Sequence, residues 1–336
     1  MVTLANEVRP EAARGPARPL AIATLGAACA LVTVVLLTAE HGPGGRILAD
    51  RSVESYPQLW GYHHWITTVQ IATLIASSLF LTHFVLWSRR HGRLHPALPV
   101  LAGLFVMGGL TDAFANWTSS AAMNPELLHF PTSWSFFDVS PTVEPIINTV
   151  AYPYLFIFPA LAITSLFARR TTTLPRPLRT VFGVTFAVAI PINWVLVNLF
   201  MCRIEYWTYT QIPGWAAIRG QTPWQYPWTD PLTLSVLTGL TAVLLQRAPD
   251  GSRVGTRIAS RIRILRHRPV AGEIAVAVLI TALGYVPYNA VWASYRLTNS
   301  GDTLAPWVYA NTKVYDPKGD YARAGVPGPY FRGMWP

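Results

Sequence analysis

Apolar residues in this chain are gathered into long blocks separated by short polar or basic stretches. Each block is close to the ~20 residues that a helix needs to cross the hydrocarbon layer of a membrane. Backbone groups in lipid have to be satisfied within the segment, which favours helices. The pattern predicts an all-α integral membrane protein, a seven-transmembrane-helix bundle. The predicted spans are Leu20–Thr38, Ile66–Trp87, Ala97–Trp117, Pro145–Phe167, Thr180–Phe200, Trp228–Leu245 and Ile274–Trp292.

The composition agrees with this pattern. Of the 336 residues, 51% are hydrophobic and only 12% are charged, which is about half the charged fraction of soluble domains. The first block follows a basic start, as in a signal peptide, but it lacks a small-residue cleavage site, so we expect it to remain as a span. We predict a cytoplasmic N-terminal segment over residues 1–19, a membrane domain over 20–297 and an outer C-terminal tail over 298–336.

Basic residues cluster in every second connection of the predicted bundle. With the N-terminus in the cytoplasm, most of the 26 lysines and arginines fall in inner segments, whereas the loop from Asn116 to Glu144 contains none. This alternation follows the positive-inside rule and predicts a protein of the bacterial cytoplasmic membrane, N-terminus inside and C-terminus outside. The net charge of +10 is then mainly a topology signal. Nucleic-acid binding is the weaker interpretation, because the arginines lie in short loops between spans.

The outer connections differ from the inner ones in being long, aromatic and proline-rich. Most of the 13 tryptophans lie at or beyond the predicted outer helix ends, where amphipathic rings favour the interface. Loops as apolar as these are expected to fold onto the protein. We therefore predict that the long outer loops form a cap over the bundle, joined by the C-terminal tail.

Polar residues inside the predicted spans lie mainly toward the outer side. Such residues usually face the interior of a bundle. Asp112 and Asn116 are four residues apart on one face of the third span, and Glu144, Asn148 and Tyr152 repeat that spacing at the start of the fourth. We predict one outward-facing pocket in which side chains of several spans converge. Further candidates for this pocket are His129 and Asp138 in the loop, Glu205, Asp230, Tyr288 and Asn289.

Several candidates also have a purely structural interpretation. Glu144 and Asp230 each adjoin a proline at a helix start, where a carboxylate caps free N–H groups. Glu205 has Arg203 as a nearby ion-pair partner, and Tyr288 is explained equally well by packing. Asp112 has no such explanation, because it lies within a span that contains no basic residue.

Two carboxyl groups in different surroundings can divide the work of acid–base catalysis. A carboxyl group in a low-dielectric pocket has a raised pKa and donates a proton near neutral pH, whereas a better hydrated one stays ionised. The sequence has no Cys-x-x-Cys motif and no glycine-rich phosphate loop. We therefore predict chemistry without a cofactor or a metal, acting on an apolar substrate that is reached from the lipid bilayer.

Three motifs follow one another from about residue 60 to the C-terminus. They are the loop NPELLHFPTSWSFFDVSPTVEP, the segment IEYWTYTQIPGW followed by QYPWTD, and GYVPYNAVWASY ahead of a proline-rich end. In this order they resemble the AveC-type spiroketal cyclase family. The resemblance implies an integral membrane enzyme of macrolide polyketide pathways, such as those of avermectin, milbemycin and meilingmycin. Its implied reaction closes a dihydroxy-ketone into a 6,6-spiroketal, with an added dehydration in the member that names the family.

The resemblance also implies functional residues. Carried over by position, these are Asp112, Glu144, Glu205 and the turn Gln225-Tyr226-Pro227. Relatives carry a glutamate at the position of Asp230, whose shorter side chain alters the reach of its carboxylate. We predict Asp112 as the acid and Glu144 or Glu205 as the base, with the other candidates, Gln225 and Tyr226 included, binding a hydrophobic polyketide.

Two rival functions remain open at this stage. A small-molecule or lipid transporter would use the same pocket, with Asp112 as a proton or ion site. The sequence shows neither the internal repeat typical of such transporters nor a polar path through the inner half. A membrane terpene cyclase would also use carboxylates and aromatic walls. The sequence indicates no protein partner for any of these functions.

Overall fold

The computed structural model describes residues 48, 62, 64–132, 134, 137, 139–167, 177–246 and 252–333. The first predicted span, Leu20–Thr38, lies outside the described residues, as does the predicted N-terminal segment. The side chain of Tyr152 and the whole of Asp138 are likewise outside the described part.

Helices dominate the described residues. They are α1 (Trp65–His91), α2 (Ala97–Ser119), α3 (Ile146–Phe167), α4 (Pro177–Asn193) with its π-helical continuation Trp194–Met201, α5 (Thr229–Leu245), α6 (Val254–Arg261), α7 (Pro269–Leu297) and the short α8 (Asp320–Arg323).

The predicted spans two to seven all correspond to helices, but not all are long enough to cross a membrane. Among the described residues, α1, α3, α4 and α7 are apolar over sufficient length, and α2 makes a fifth if its two bent halves form one span. The helix α5 has only 17 residues. Four to five candidate spans are thus present, and the count of seven is not confirmed. Large apolar side chains such as Ile71, Ile75 and Leu79 are exposed on α1, which is compatible with insertion into lipid.

Three helices are irregular toward the same end of the bundle. α2 bends by 53° between Ala97–Gly109 and Thr111–Ser119, next to the pair Gly108-Gly109, a common cause of kinks. α4 widens into a π-helix, a form often found at functional sites. α7 contains Pro287, which has no N–H to donate to the carbonyl one turn earlier.

The loops at that end form a folded layer, which we call the aromatic cap: residues 120–145, 202–228 and 298–333. Its strands are β1 (Ala121–Met123), β2 (Trp207–Tyr209), β3 (Gln211–Ile212), β4 (Ala217–Ile218), β5 (Tyr226–Pro227), β6 (Thr303–Leu304), β7 (Val314–Tyr315) and β8 (Tyr330–Phe331). The antiparallel pairs are β1–β2, β3–β6 and β4–β5, and β7–β8 is parallel. The described residues are mostly helical, as predicted, but the prediction of an all-α fold missed these strands.

The strand pairs bring distant parts of the chain together over the helix ends. The pair β1–β2 joins the loop after α2 to the loop after α4, with Ala121 opposite Tyr209. The C-terminal tail is tied to both, because the hydroxyl of Tyr309 donates to the carbonyl oxygens of Ala122 and Glu205, each at 3.2 Å. Short strands form here because only paired backbone groups can be buried beneath aromatic side chains.

Arg296, near the end of α7, fastens this helix to the end of α2. Its guanidinium lies over the ring of Trp117, 4.4 Å from the centroid, and donates to the carbonyl oxygen of Trp117 at 3.0 Å. A positive charge at the C-terminal end of a helix also complements the helix dipole. Below this contact α2 and α7 touch directly at Gly103, where an added Cβ would come within 2.8 Å of the backbone of Ala277.

At the opposite end, Glu273 forms a salt bridge of 2.9 Å with Arg253. This contact ties α6 to the start of α7, so Glu273 has a structural role. Asn193 has one as well, because its amide donates to the hydroxyl of Ser235 at 3.0 Å and joins α4 to α5, a common use of a polar residue inside a helical bundle.

Candidate active site

Two acids and two amides form a crossed arrangement where α2 and the start of α3 run in opposite directions. Asn116 donates its side-chain N–H to Oε2 of Glu144 at 2.8 Å, and Asn148 donates to Oδ2 of Asp112 at 3.2 Å. Each of these two chain segments therefore supplies one acid and, four residues further on, the amide that binds the acid of the other segment. All four side chains are buried, with Asp112 6% and Glu144 2% exposed.

The two carboxyl groups also hydrogen-bond each other. A hydrogen bond between two carboxyl groups requires a proton on one of them, and two like charges in so buried a place repel strongly. Burial, the negative charge of Asp112 and this hydrogen bond together raise the pKa of Glu144 well above its ordinary value. The environment of Glu144 therefore favours its protonated form.

The hydrogen bonds of Glu144 leave one of its oxygens available for that proton. Oε2 accepts from Asn116 and, at 2.8 Å, from the hydroxyl of Ser140. Oε1 accepts no hydrogen bond from the described residues. Oε1 is therefore the atom that can donate toward Asp112.

The backbone around Glu144 is held on both sides. The N–H of Phe130 donates to the carbonyl oxygen of Glu144 at 2.9 Å, and the N–H of Ile146 donates to that of Leu128 at 2.9 Å. Thr142 donates its hydroxyl to the carbonyl oxygen of Met123 in β1 at 2.6 Å. These contacts hold Glu144 and the loop around it against the neighbouring parts of the cap. A fixed position of this kind is what preorganised acid–base catalysis requires.

Asp112 lies directly after the bend in α2, as the second residue of the segment Thr111–Ser119. Its carboxyl group accepts from the amide of Asn148 and hydrogen-bonds Glu144. These polar partners explain how the acid can stay within an apolar helix.

Tyr206 completes the cluster from above. Its hydroxyl donates to Oδ1 of Asn148 at 2.9 Å, and this bond orients the amide so that its N–H faces Asp112. Burial and the charges of Asp112 and Glu144 raise the pKa of Tyr206, so the phenol remains a donor. Tyr206 and Ser140 were both missed as site residues. The signal for Ser140 was its place four residues before Glu144 in the quoted loop, whereas Tyr206 had none beyond the aromatic motif.

A third buried acid, Asp230, lies in the first turn of α5 and is fully buried. The phenol of Tyr209 faces its carboxyl group. Tyr288 is close enough to interact electrostatically with both Asp230 and Asp112. Cys202 is also nearby, since burial and the charge of Asp230 raise the pKa of its thiol. Of the predicted site residues, Tyr288 thus lies between Asp230 and Asp112 and interacts with both.

Glu205 is not part of this group. Its carboxyl group hydrogen-bonds Trp224 and is attracted by Arg203, whose guanidinium lies 3.5 Å from the centre of the Trp224 ring. Burial raises the pKa of Glu205, and these two partners oppose that shift. The residue also has a positive φ of 55°, which is uncommon for a side chain of this kind. Its environment favours a structural role in the cap.

The remaining predicted residues hold the cap and α7 in shape. The amide of Gln225 donates to the carbonyl oxygens of Tyr209 at 2.8 Å and Thr303 at 3.2 Å. Tyr226, buried in β5, has a side-chain hydrogen bond with Trp194. The ring of His129 bonds to the carbonyl oxygen of Phe130.

Asn289 bonds within its own helix, donating to the carbonyl oxygen of Tyr285 at 3.1 Å. Within the described ranges, no group of three or more His, Cys, Asp or Glu side chains is placed to hold a metal ion.

Comparison with known families places this arrangement in context. A family model described as "Spirocyclase AveC-like" matches residues 88–315. The chain belongs to this family. The AveC-like match includes the crossed acids, Tyr206, Asp230 and Tyr288, and membership implies an enzyme of spirocyclisation in polyketide biosynthesis. No curated protein and no solved structure matches the chain.

Proposed function

We propose that this AveC-like protein is a membrane-embedded spiroketal cyclase that closes a dihydroxy-ketone polyketide into a 6,6-spiroketal. The observation that carries the proposal is the pair of Asp112 and Glu144, buried together beneath the aromatic cap and held by the crossed amides of Asn116 and Asn148. Burial and the charge of Asp112 raise the pKa of Glu144, so we assign one shared proton to the pair. Such a pair supplies an acid and a base at the same place, as ketal chemistry requires. The substrate is a hydrophobic chain that arrives from the lipid bilayer.

The first ring closes by general acid–base catalysis. Glu144 donates its proton to the ketone oxygen while Asp112 accepts the proton of the attacking hydroxyl, and a hemiketal forms. The pair still holds one proton after this step, because one has been given and one received. That proton can pass between the two carboxyl groups through their hydrogen bond.

The second stage releases water. The proton of the pair is transferred to the hemiketal hydroxyl, the C–O bond breaks, and an oxocarbenium ion is left beside two ionised carboxylates that stabilise its charge. The second hydroxyl then adds to the cation, and its proton is released to the protein. One water leaves and no proton is gained or lost overall.

The folded protein contributes stereochemical control as well as rate. Holding the substrate in one conformation lowers the entropy cost of bringing its hydroxyl to the ketone and allows only one direction of approach. The rings of Tyr209 and Trp292, stacked at 5.0 Å, present aromatic faces of the kind that attract cations. An added dehydration would need a base aimed at the carbon next to the departing hydroxyl, and product mass distinguishes it by loss of a second water.

Incubating the purified protein, in detergent, with a synthetic dihydroxy-ketone tests this function. We expect one spiroketal epimer to form faster than in the same buffer without protein. Detergent removes any vesicle interior, so a transporter would give no product in this assay. If the wild-type protein leaves both the rate and the epimer ratio at their uncatalysed values, the proposed function is wrong.

A further inference from the structure

Asp230 is a buried acid with few polar contacts. Its side chain is fully buried, and among the described residues the phenol of Tyr209 is the side chain that hydrogen-bonds its carboxyl group. It lies in the first turn of α5, but no backbone N–H bonds to it, so it does not cap the helix. An acid buried without such partners costs folding free energy, and a cost of this kind is typical of a functional site.

The surroundings of Asp230 are aromatic and suit a cation. The phenol of Tyr209 faces the carboxyl group, and the ring of Tyr209 is stacked on Trp292. Tyr288 meets Trp292 edge-on, at 6.1 Å between ring centres. Within the described part of the chain, no salt bridge joins Asp230 to an arginine or lysine. The site therefore has a carboxyl group and aromatic walls, and no basic side chain of the described residues is paired with it.

Tyr288 connects this site to the crossed acids. It interacts electrostatically with Asp112 and with Asp230, and Tyr285, one turn earlier in α7, interacts with Asp112. The two tyrosine rings are 6.4 Å apart and perpendicular. Asp230 of α5 and Asp112 of α2 thus both lie near Tyr288 of α7.

The chemistry of the second ring closure calls for a base away from the acid that releases water. When water leaves one face of an oxocarbenium ion, a nucleophile directed to the other face fixes the configuration of the new centre. Inverting glycosidases solve the same problem with an acid on one face of the sugar and a separate carboxylate base on the other. A single carboxyl pair on one face does not provide this.

We infer that Asp230 is the base of the second ring closure, accepting the proton of the second hydroxyl opposite the Asp112–Glu144 pair. The inference rests on the proposed cyclase function and assigns one of its steps. The hydroxyl oxygen forms a C–O bond to the cationic carbon, and the C=O⁺ electron pair returns to the ring oxygen. The O–H bond breaks, and its proton passes to Asp230. Tyr288 then relays this proton to the ionised pair, which restores the starting state.

Two substrates separate this step from the first one. The dihydroxy-ketone requires both closures. A matched monohydroxy-ketone closes only the first ring, and its ketone oxygen exchanges with ¹⁸O-labelled water through the hemiketal and the oxocarbenium ion.

Asp230→Asn keeps the size of the side chain and removes its basicity. We expect this variant to lose about 100-fold or more of its spiroketal rate, the usual scale of one general base, and to shift toward the uncatalysed epimer ratio. Its ¹⁸O exchange should stay within about twofold of wild type, since first-ring closure does not use Asp230.

Asp230→Glu and Glu126→Gln are the controls. The first keeps a carboxylate and should recover part of the rate and epimer preference, and the second removes a cap carboxyl group and should change neither. Loss of both reactions in Asp230→Asn would overturn the inference, because it would indicate a structural role. An unchanged spiroketal rate and epimer ratio in Asp230→Asn, with an active wild type, would overturn it too while leaving the cyclase function intact. An inactive wild type would instead refute the cyclase function itself.

Discussion

Glu144 and Asp112 are 32 positions apart in the chain, yet their carboxyl groups hydrogen-bond each other. The contact exists because α2 and α3 run in opposite directions, which places Asp112 of α2 next to Glu144, two residues before α3. Asn116 then donates to Glu144, and Asn148 donates to Asp112. Both segments therefore have the same form, an acid followed four residues later by asparagine.

The first prediction concerns the alkaline limit of activity. Glu144 acts as an acid only while protonated, so activity should fall as pH rises through its raised pKa. The titratable groups facing it are Asp112 and Tyr206, and the hydrogen bond from Ser140 lowers its pKa. Ser140→Ala should therefore move the alkaline limb of the pH–rate profile to higher pH. A limb that stays in place or moves to lower pH would contradict Glu144 as the acid. Thr142→Ala, which removes a different hydroxyl of the same loop, is the control.

A second prediction concerns stability. Because the folded pKa of Glu144 is raised, the folded state binds more protons than the unfolded state at pH values between the ordinary and the raised pKa. Stability should therefore decrease as pH rises through that interval. Glu144→Gln cannot ionise and should flatten the decrease. Thermal unfolding across a pH series measures this, with Asp302→Asn, at an exposed acid of the same cap, as the control. Equal slopes for Glu144→Gln and wild type would show that Glu144 is not the group being titrated.

A third prediction separates orientation of the site from stability of the cap. Tyr206→Phe removes the donor that orients Asn148, so we expect the cyclisation rate to fall by about 10-fold, for a loss of roughly one hydrogen bond's net free energy. Tyr309→Phe removes a hydroxyl that donates to the cap carbonyl oxygens of Ala122 and Glu205. It should lower the unfolding temperature and leave the rate per folded molecule nearly unchanged. If the two variants behave alike in rate, Tyr206 has no special role.

A fourth prediction tests the close packing of α2 against α7. Gly103→Ala would place a methyl group 2.8 Å from the backbone of Ala277, which cannot move without shifting α7. Overpacking of this kind destabilises by about 1–3 kcal/mol. Gly183→Ala, in α4, meets nothing within 4 Å and should be neutral or slightly stabilising, because alanine favours helices more than glycine. Thermal unfolding in one detergent compares the two variants, and a neutral Gly103→Ala would mean that the helices are further apart than described.

The apolar pattern was sufficient to predict the helices because burial in lipid or protein demands long uninterrupted runs. The count of seven spans is not confirmed, because α2 is bent next to Gly108-Gly109, α5 has only 17 residues, and the first predicted span lies outside the described residues. The strands of the cap escaped prediction because runs of two or three residues carry no periodic signal.

The four-residue spacing on one helix face was sufficient to predict which acids and amides lie together. Asp112 with Asn116, and Glu144 with Asn148, follow from the helical repeat, and the structure confirms that these four side chains meet. The acid and base roles do not follow from spacing, because they depend on the burial and the partners of each carboxyl group. Glu205 was grouped with them on its position alone, and its contacts with Trp224 and Arg203 become visible only once the cap is folded.

The most direct test of the acid pair compares Asp112→Asn and Glu144→Gln with wild type on the synthetic dihydroxy-ketone. Each substitution keeps the side-chain size and removes one carboxyl group, so each should lower the rate of spiroketal formation by about 100-fold or more. The double variant should lose little beyond either single one, because the two acids work as a unit. Wild-type rate and a single epimer in either single variant would contradict the account.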